Sequence, residues 1–142
     1  MKLTDNTILI TGGGSGIGEA LAHRFHDLGN TVIIAGRRQD ALQRAAAGRS
    51  NMHALTLDVE SAEGVADFAR RLLAAHPTVN VLMNNAGIMR FEPLDRARDL
   101  ADAEATITTN LLGPIRLTNA LIDHLAGRPD AAIVNVTSGL AF

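Results

Sequence analysis

Residues 7–18 read Thr7-Ile8-Leu9-Ile10-Thr11-Gly12-Gly13-Gly14-Ser15-Gly16-Ile17-Gly18, and the change of character inside that stretch decides the fold. The run Thr7-Ile8-Leu9-Ile10 is short, apolar, rich in β-branched residues and closed by glycines, as a strand buried on both faces of a parallel sheet should be. Beyond the glycines, Ile17, Ala20, Leu21, Phe25 and Leu28 recur at helical spacing, and Gly29 stands where a left-handed C-cap is wanted. A strand that turns through glycines straight into a helix is the opening of a βαβ unit.

The same alternation continues outward. Val32-Ile33-Ile34-Ala35 predicts a second strand, Gln39 to Ala47 a short helix and His53 to Leu57 a third strand. Ser61 opens a helix whose Val65, Phe68, Ala69, Leu72 and Leu73 line one face before Pro77 ends it, and Val79 to Met83 reads as the fourth strand. A polar loop from Ile88 to about Arg98 leads into a long helix carrying Ile107, Leu111, Ile115, Thr118, Ile122 and Leu125, with a bend expected near Gly113-Pro114. Ala131 to Val136 is the fifth strand. Strands alternating with amphipathic helices imply right-handed crossovers, so the fold class is α/β: a Rossmann-type doubly wound parallel sheet. Residues 1–142 read as one such domain, and with no helix after strand five it is expected to be incomplete at its C-terminal end.

Composition narrows the partners. At 142 residues, 46% apolar and with a formal charge of -2, the chain can bury a sizeable core. Thirteen Lys and Arg against fifteen Asp and Glu, with 3% aromatic residues, leave neither a basic excess nor stacking platforms for nucleic acid. No apolar run approaches the roughly 20 residues that span a bilayer, and the start lacks a signal-peptide core, so a cytoplasmic location without membrane association is expected. Cysteine is absent, which removes disulfides and thiolate chemistry, and so are Tyr and Trp.

The glycines have steric reasons for their places. Gly12 can take a tight turn, Gly16 can let the backbone approach a pyrophosphate, and Gly18 can let the helix pack closely on the strand. The helix N-terminus, with Ser15 and Ile17 in the turn, then offers unpaired N–H groups and a partial positive charge to phosphates. The spacing is G-x-x-x-G-x-G, and no Walker-loop Lys follows, so a dinucleotide is favoured over ATP or GTP. A glycine-rich turn without a ligand is the bland alternative.

An NAD enzyme usually carries an acidic residue at the end of the second strand, roughly twenty residues past the glycine turn, to accept the ribose hydroxyls. Here that place reads Gly36-Arg37-Arg38. A carboxylate would repel a 2′-phosphate, whereas a guanidinium binds it bidentately, so NADP(H) is favoured over NAD(H). Arginines that merely begin the next helix as solvated charges are the competing reading.

Taken together these motifs resemble the short-chain dehydrogenase/reductase family. Thr11 to Gly18 is similar to its T-G-x-x-x-G-x-G, Asp58-Val59 to its acidic residue after strand three, Asn84-Asn85-Ala86-Gly87 to its N-N-A-G, and Asn135-Val136-Thr137-Ser138 to its N-x-S-S. Asn110 with Gly113 adds the N-x-x-G of the long helix, and the ending Val136 to Phe142 is similar to a DltE-like bacterial subgroup. The resemblance implies a sheet ordered 3-2-1-4-5 in this chain, and a small-molecule carbonyl or alcohol as substrate. It implies that Asp58 accepts a hydrogen bond from the adenine amino group beside the Val59 backbone, and that Asn85, Ala86 and Gly87 lie near the adenosine ribose. It makes Ser138 the hydrogen-bond partner of the substrate oxygen and Asn110 the holder of a water in the proton relay. Individually, Asp58 could cap a helix and Ser138 could bond its own backbone.

The family's Tyr-x-x-x-Lys lies further along than Phe142, and this chain has no Tyr to use. Ketone reduction needs a proton as well as a hydride, so residues 1–142 alone are expected to be inactive, a segment of an oxidoreductase. His23, His26, His53, His76 and His124 lie away from Ser138 in the sequence and read as surface or packing residues. The competing function is a non-catalytic nucleotide-binding or scaffold module. Strand five would be an uncovered edge beside the helix from Asp102 to Leu125, which predicts poor solubility or self-association through these two elements into a homo-oligomer.

Overall fold

A computed structural model describes residues 2–93 and 95–138. Five parallel strands stand in the order β3-β2-β1-β4-β5: β1 Thr7–Thr11, β2 Thr31–Gly36, β3 Met52–Thr56, β4 Val81–Asn84 and β5 Ala132–Asn135. Helices α1 Gly16–Asp27, α2 Gln39–Ala46 and α3 Ala62–Ala75 follow the first three strands in turn. Between β4 and β5 run α4 Ala101–Ile107, a π turn at Thr108–Leu112, and α5 Gly113–Ala126. The alternation predicted the parallel doubly wound sheet, and the order is the one the family resemblance implied.

Strand periodicity builds two cores. Leu9, Ile33, Ala35 and Leu82 face Val65, Phe68 and Leu72 of α3 and Leu117, Leu121 and Leu125 of α5. Their neighbours Ile8, Ile10, Val32, Ile34 and Val81 point the other way, onto Ala22 of α1 and Leu42 and Ala45 of α2. Because every strand residue from Ile8 to Ile10 and from Val32 to Ala35 is fully buried, the apolar runs are continuous rather than alternating. Helix α3 begins as its sequence suggests, with the Ser61 hydroxyl accepting the Gly64 N–H at 3.0 Å. Helix α1 ends at Gly29, whose φ of +87° supplies the left-handed residue after the helix.

Three expectations need correction. Strand β3 starts one residue earlier than His53, because Met52 pairs with Val32. Strand β4 starts at Val81 rather than Val79; Asn80, just ahead of it, donates its N–H to the Thr7 carbonyl and accepts the Ala132 N–H, each at 3.0 Å. The long helix is irregular over Thr108–Leu112, ahead of Gly113-Pro114 rather than at it. Proline at 114 has no N–H to give to the carbonyl four residues back, and the chain absorbs this with a wider turn in which the Gly113 N–H reaches the Thr108 carbonyl. The inserted residue rotates the helix. Leu117, Leu121 and Leu125 are therefore the buried stripe, while Ile107, Leu111 and Ile115 are 54%, 55% and 54% exposed, and Ile122 is exposed as well.

Candidate cofactor site

The order 3-2-1-4-5 reverses direction between β1 and β4, and in such sheets the crevice outside the carboxyl ends of the strands at that reversal is where ligands sit. A cavity of about 370 Å³ opens there, within the roughly 300–1,000 Å³ range of small-ligand pockets. Its walls are the glycine turn after β1, the end of β2 with Arg37 and Arg38, Leu57 and Val59 after β3, and Asn85 to Ile88 after β4.

Thr11 ties the two central strands together at the mouth. Its Oγ1 accepts the backbone N–H of Asn85 and of Ala86, both at 3.0 Å, while the Asn85 side-chain amide donates back to the Thr11 carbonyl at 2.9 Å. The glycine turn is drawn against β2, where the Gly12 N–H donates to the Ala35 carbonyl at 2.7 Å. Gly12 needs its positive φ of +70°, and Gly18 needs its missing side chain, since a Cβ there would stand 2.3 Å from the Gly12 carbonyl oxygen. Gly16 also has a positive φ, +57°, but nothing lies within 4 Å of where its Cβ would be. Helix α1 starts without a side-chain cap: Ser15 is extended, and its hydroxyl accepts from Arg38 Nη2 at 3.2 Å rather than from the helix. The first amides of α1 are thus left for another acceptor.

Arg37 and Arg38 diverge. Arg37 is ion-paired with Glu60 at 3.2 Å, and Arg38 reaches across to Ser15. The Arg37–Glu60 pair is partly exposed, a setting in which such pairs contribute about 0–1 kcal/mol. Asp58 lies off the cavity wall, with Oδ1 accepting the Glu60 N–H at 3.0 Å, whereas Val59 is on it. Asn110 is also off the wall and grips the loop after β4 at two points: its Oδ1 accepts the Ile88 N–H and its Nδ2 donates to the Ile88 carbonyl, each at 2.8 Å. Gly87 sits against that clamp, with space for a Cβ only 3.3 Å from Asn110 Oδ1.

Ser138 is exposed just past β5, on the same carboxyl edge of the sheet but outside the cavity wall. The end of β5 is fixed by the Asn84 side-chain amide, which donates to Asn135 Oδ1 at 2.9 Å and to Thr118 Oγ1 at 3.3 Å. Residues 139–142, part of the ending that resembles the DltE-like subgroup, lie outside the described residues. Sequence reasoning assigned no role to Thr11 and did not single out Glu60 or Thr109, which share the cavity wall. Thr11 opens the glycine motif, so a signal was present; nothing in the sequence pairs Glu60 with Arg37, 23 residues away.

Fold and site together define a doubly wound, Rossmann-like α/β protein with its crevice at the strand-order reversal. The family model described as short chain dehydrogenase matches residues 6–142, and the chain belongs to that family. It is 41% identical over 144 residues to the uncharacterized oxidoreductase DltE of Bacillus subtilis, covering all of this chain and 57% of the relative. Among solved structures it is similar to the closed form of serine dehydrogenase complexed with NADP+ (TM-score 0.85, 32% identity, 94% of this chain and 54% of that one). It is also similar to the 3-ketoacyl-(acyl-carrier-protein) reductase of Brucella melitensis complexed with NADH (TM-score 0.87, 29% identity, 96% of this chain and 59% of that one). The chain thus spans somewhat more than half the length of these relatives.

Proposed function

We propose that residues 1–142 are the NADP(H)-binding Rossmann domain of an oxidoreductase that moves hydride between the nicotinamide and a small carbonyl or alcohol substrate. The observation that carries the reading is the meeting, on one cavity wall, of an uncapped glycine turn, a second strand that ends in Gly36-Arg37-Arg38, and Asn85-Ala86-Gly87. These residues fit the adenosine end of a dinucleotide. The open amides of α1 with Gly16 suit a pyrophosphate, and the two guanidinium groups suit a 2′-phosphate. With a dinucleotide bound, Asn85 to Gly87 would hold the ribose, and Asp58 would accept from the adenine amino group with the oxygen that the Glu60 N–H leaves open. NAD(H) is the less favoured cofactor because no carboxylate stands at the end of β2.

When bound, the nicotinamide supplies or accepts the hydride at the substrate carbon. Ser138 donates a hydrogen bond to the substrate oxygen, polarising the carbonyl. A water at Asn110 would be held by its main-chain carbonyl, which Pro114 denies its α-helical donor, while the side chain spends one lone pair and one N–H on Ile88. The proton for the oxygen needs a general acid, and neither Ser138 nor Asn110 is one, a loss of about 10² to 10⁴ in rate. Residues 1–142 alone are therefore expected to show no NADPH-dependent turnover above background, while a chain carrying a Tyr-x-x-x-Lys continuation turns over. Turnover by the short chain that disappears with Ser138→Ala would show another proton donor. Failure of the continued chain to turn over any carbonyl or alcohol would favour the non-catalytic nucleotide-binding or scaffold module.

We place the protein in the cytoplasm as a homo-oligomer. Ile107, Leu111, Ile115 and Ile122 form an exposed apolar stripe, and β5 is an edge of the described sheet with Ile133 and Val136 exposed. Light scattering on residues 1–142 is expected to give a mass above the monomer; a stable monomer with β5 amides well protected from hydrogen exchange would remove this assignment.

A further inference from the structure

We infer that Glu60 limits how strongly the site prefers a 2′-phosphorylated dinucleotide, by holding Arg37 in an ion pair that the phosphate must share; the inference rests on the nucleotide-binding reading above. Among the described residues of the cavity wall, Glu60 is the one carboxylate. It is held from three sides. Its Oε1 accepts from Arg37 Nη1 at 3.2 Å and from the Thr109 hydroxyl at 2.8 Å, and its main-chain carbonyl accepts from Arg116 Nη1 at 2.8 Å. Thr109 is buried in the π turn, and Arg116 comes from the first turn of α5, so the carboxylate is anchored to the body of the fold while Arg37 is the more exposed partner.

The consequence is a divided charge. Enzymes that bind the unphosphorylated ribose place a carboxylate at the end of the second strand, where this chain has Gly36. Here a carboxylate reaches the neighbouring wall from the loop after β3 instead, and it neutralises one of the two arginines that a 2′-phosphate would use. Arg38, bonded to the neutral Ser15 hydroxyl, keeps its charge undivided. A phosphate approaching Arg37 meets an attractive guanidinium and, within the length of one hydrogen bond of it, a repelling carboxylate. An unphosphorylated ribose meets neither effect strongly.

The test uses 2′,5′-ADP and 5′-ADP as probes, which report on the adenosine end without the nicotinamide. In calorimetric titrations of the full chain, Glu60→Gln is expected to tighten 2′,5′-ADP binding about three- to fivefold at low salt, a gain that shrinks as salt is raised, with 5′-ADP unchanged. Gln retains an acceptor for the Thr109 hydroxyl, so thermal unfolding should be preserved; Glu60→Ala, which does not depend on that contact, should give the same selective gain. An equal change for both probes, or none, in the two variants overturns the role of Glu60 and leaves nucleotide binding intact. If neither probe binds the native chain, the nucleotide-binding reading itself fails, and this inference with it.

Discussion

Gly18→Ala is expected to destabilise the fold by about 3 kcal/mol, at the upper end of what overpacking costs, and to abolish nucleotide binding in the fraction that stays folded. The added Cβ would stand 2.3 Å from the Gly12 carbonyl oxygen, 2.5 Å from Asn85 Nδ2 and 2.8 Å from the Gly12 carbonyl carbon. None of these is the loose end of a side chain. Gly12 is fastened to β2 through Ala35, and the Asn85 amide is fastened to the Thr11 carbonyl. Helix α1 would therefore have to lift from the ends of β1 and β4, disturbing the anion-facing amides and the Asn85 wall together. Gly16→Ala is the control: its Cβ meets nothing within 4 Å, and the cost is limited to the left-handed backbone, about 1–2 kcal/mol. Denaturant unfolding of the two variants checks this, and equal losses for both would mean that the Gly12–Gly18 contact does not govern the turn.

At the opposite end of the sheet, Asn30→Ala is expected to cost about 3 kcal/mol or more without touching the cavity. Asn30 is 1% exposed, and its Oδ1 accepts both the backbone N–H of Asn6 at 2.9 Å and the side-chain amide of Asn6 at 3.0 Å. Its Nδ2 donates to the carbonyls of Leu3 and Phe25, at 2.9 and 2.8 Å. Asn80 continues the chain of bonds, giving Nδ2 to Asn6 Oδ1 and accepting the Thr7 N–H on Oδ1. The side-chain oxygens of Asn30 and Asn80 thus satisfy the main-chain amides of Asn6 and Thr7 at the start of β1, and the three asparagines, each just ahead of a strand, tie the starts of β1, β2 and β4 together. Alanine leaves several buried donors and acceptors without a partner, each costing about 1–3 kcal/mol, with water repairing some of the loss. Urea unfolding measures the cost; a loss below about 1 kcal/mol would mean that water replaces the amide fully.

The strands and the glycine turn were legible because they rest on continuous apolar runs and on glycines with steric reasons to be where they are, whereas the strand order followed from the family resemblance. Val32 to Ala35 has one reading, and Gly12 to Gly18 nearly so. The long helix was less legible for a physical reason. It is apolar on two sides, with Leu117, Leu121 and Leu125 on one and Ile107, Leu111, Ile115 and Ile122 on the other, and both sets repeat at helical spacing. Periodicity alone does not say which stripe is buried. The π turn shifts the phase between them, and only the packing of α5 on α3 selects the leucines.

The candidate site divides in the same way. The motif residues Gly12, Ser15, Gly16, Ile17 and Gly18 could be named from local spacing, and Arg37 and Arg38 from their place after the second strand, whereas Asn85 to Gly87 could be named only through the family resemblance. The partners could not. Thr11 bridging β1 to β4, Glu60 meeting Arg37 and Thr109, and Asn110 clamping Ile88 are contacts between segments brought together by the sheet order. They decide which functional groups are open to a ligand. Asp58 illustrates it: a carboxylate visible in the sequence is partly engaged by the Glu60 amide two residues on.

The most direct test of the account is a calorimetric comparison of NADPH and NADH on the native chain and on Arg37→Ala. The account predicts saturable binding of one dinucleotide per chain, tighter for NADPH, with the difference narrowed by Arg37→Ala mainly through weaker NADPH binding. Equal affinities for the two in the native chain, or a preference untouched by Arg37→Ala, would contradict it.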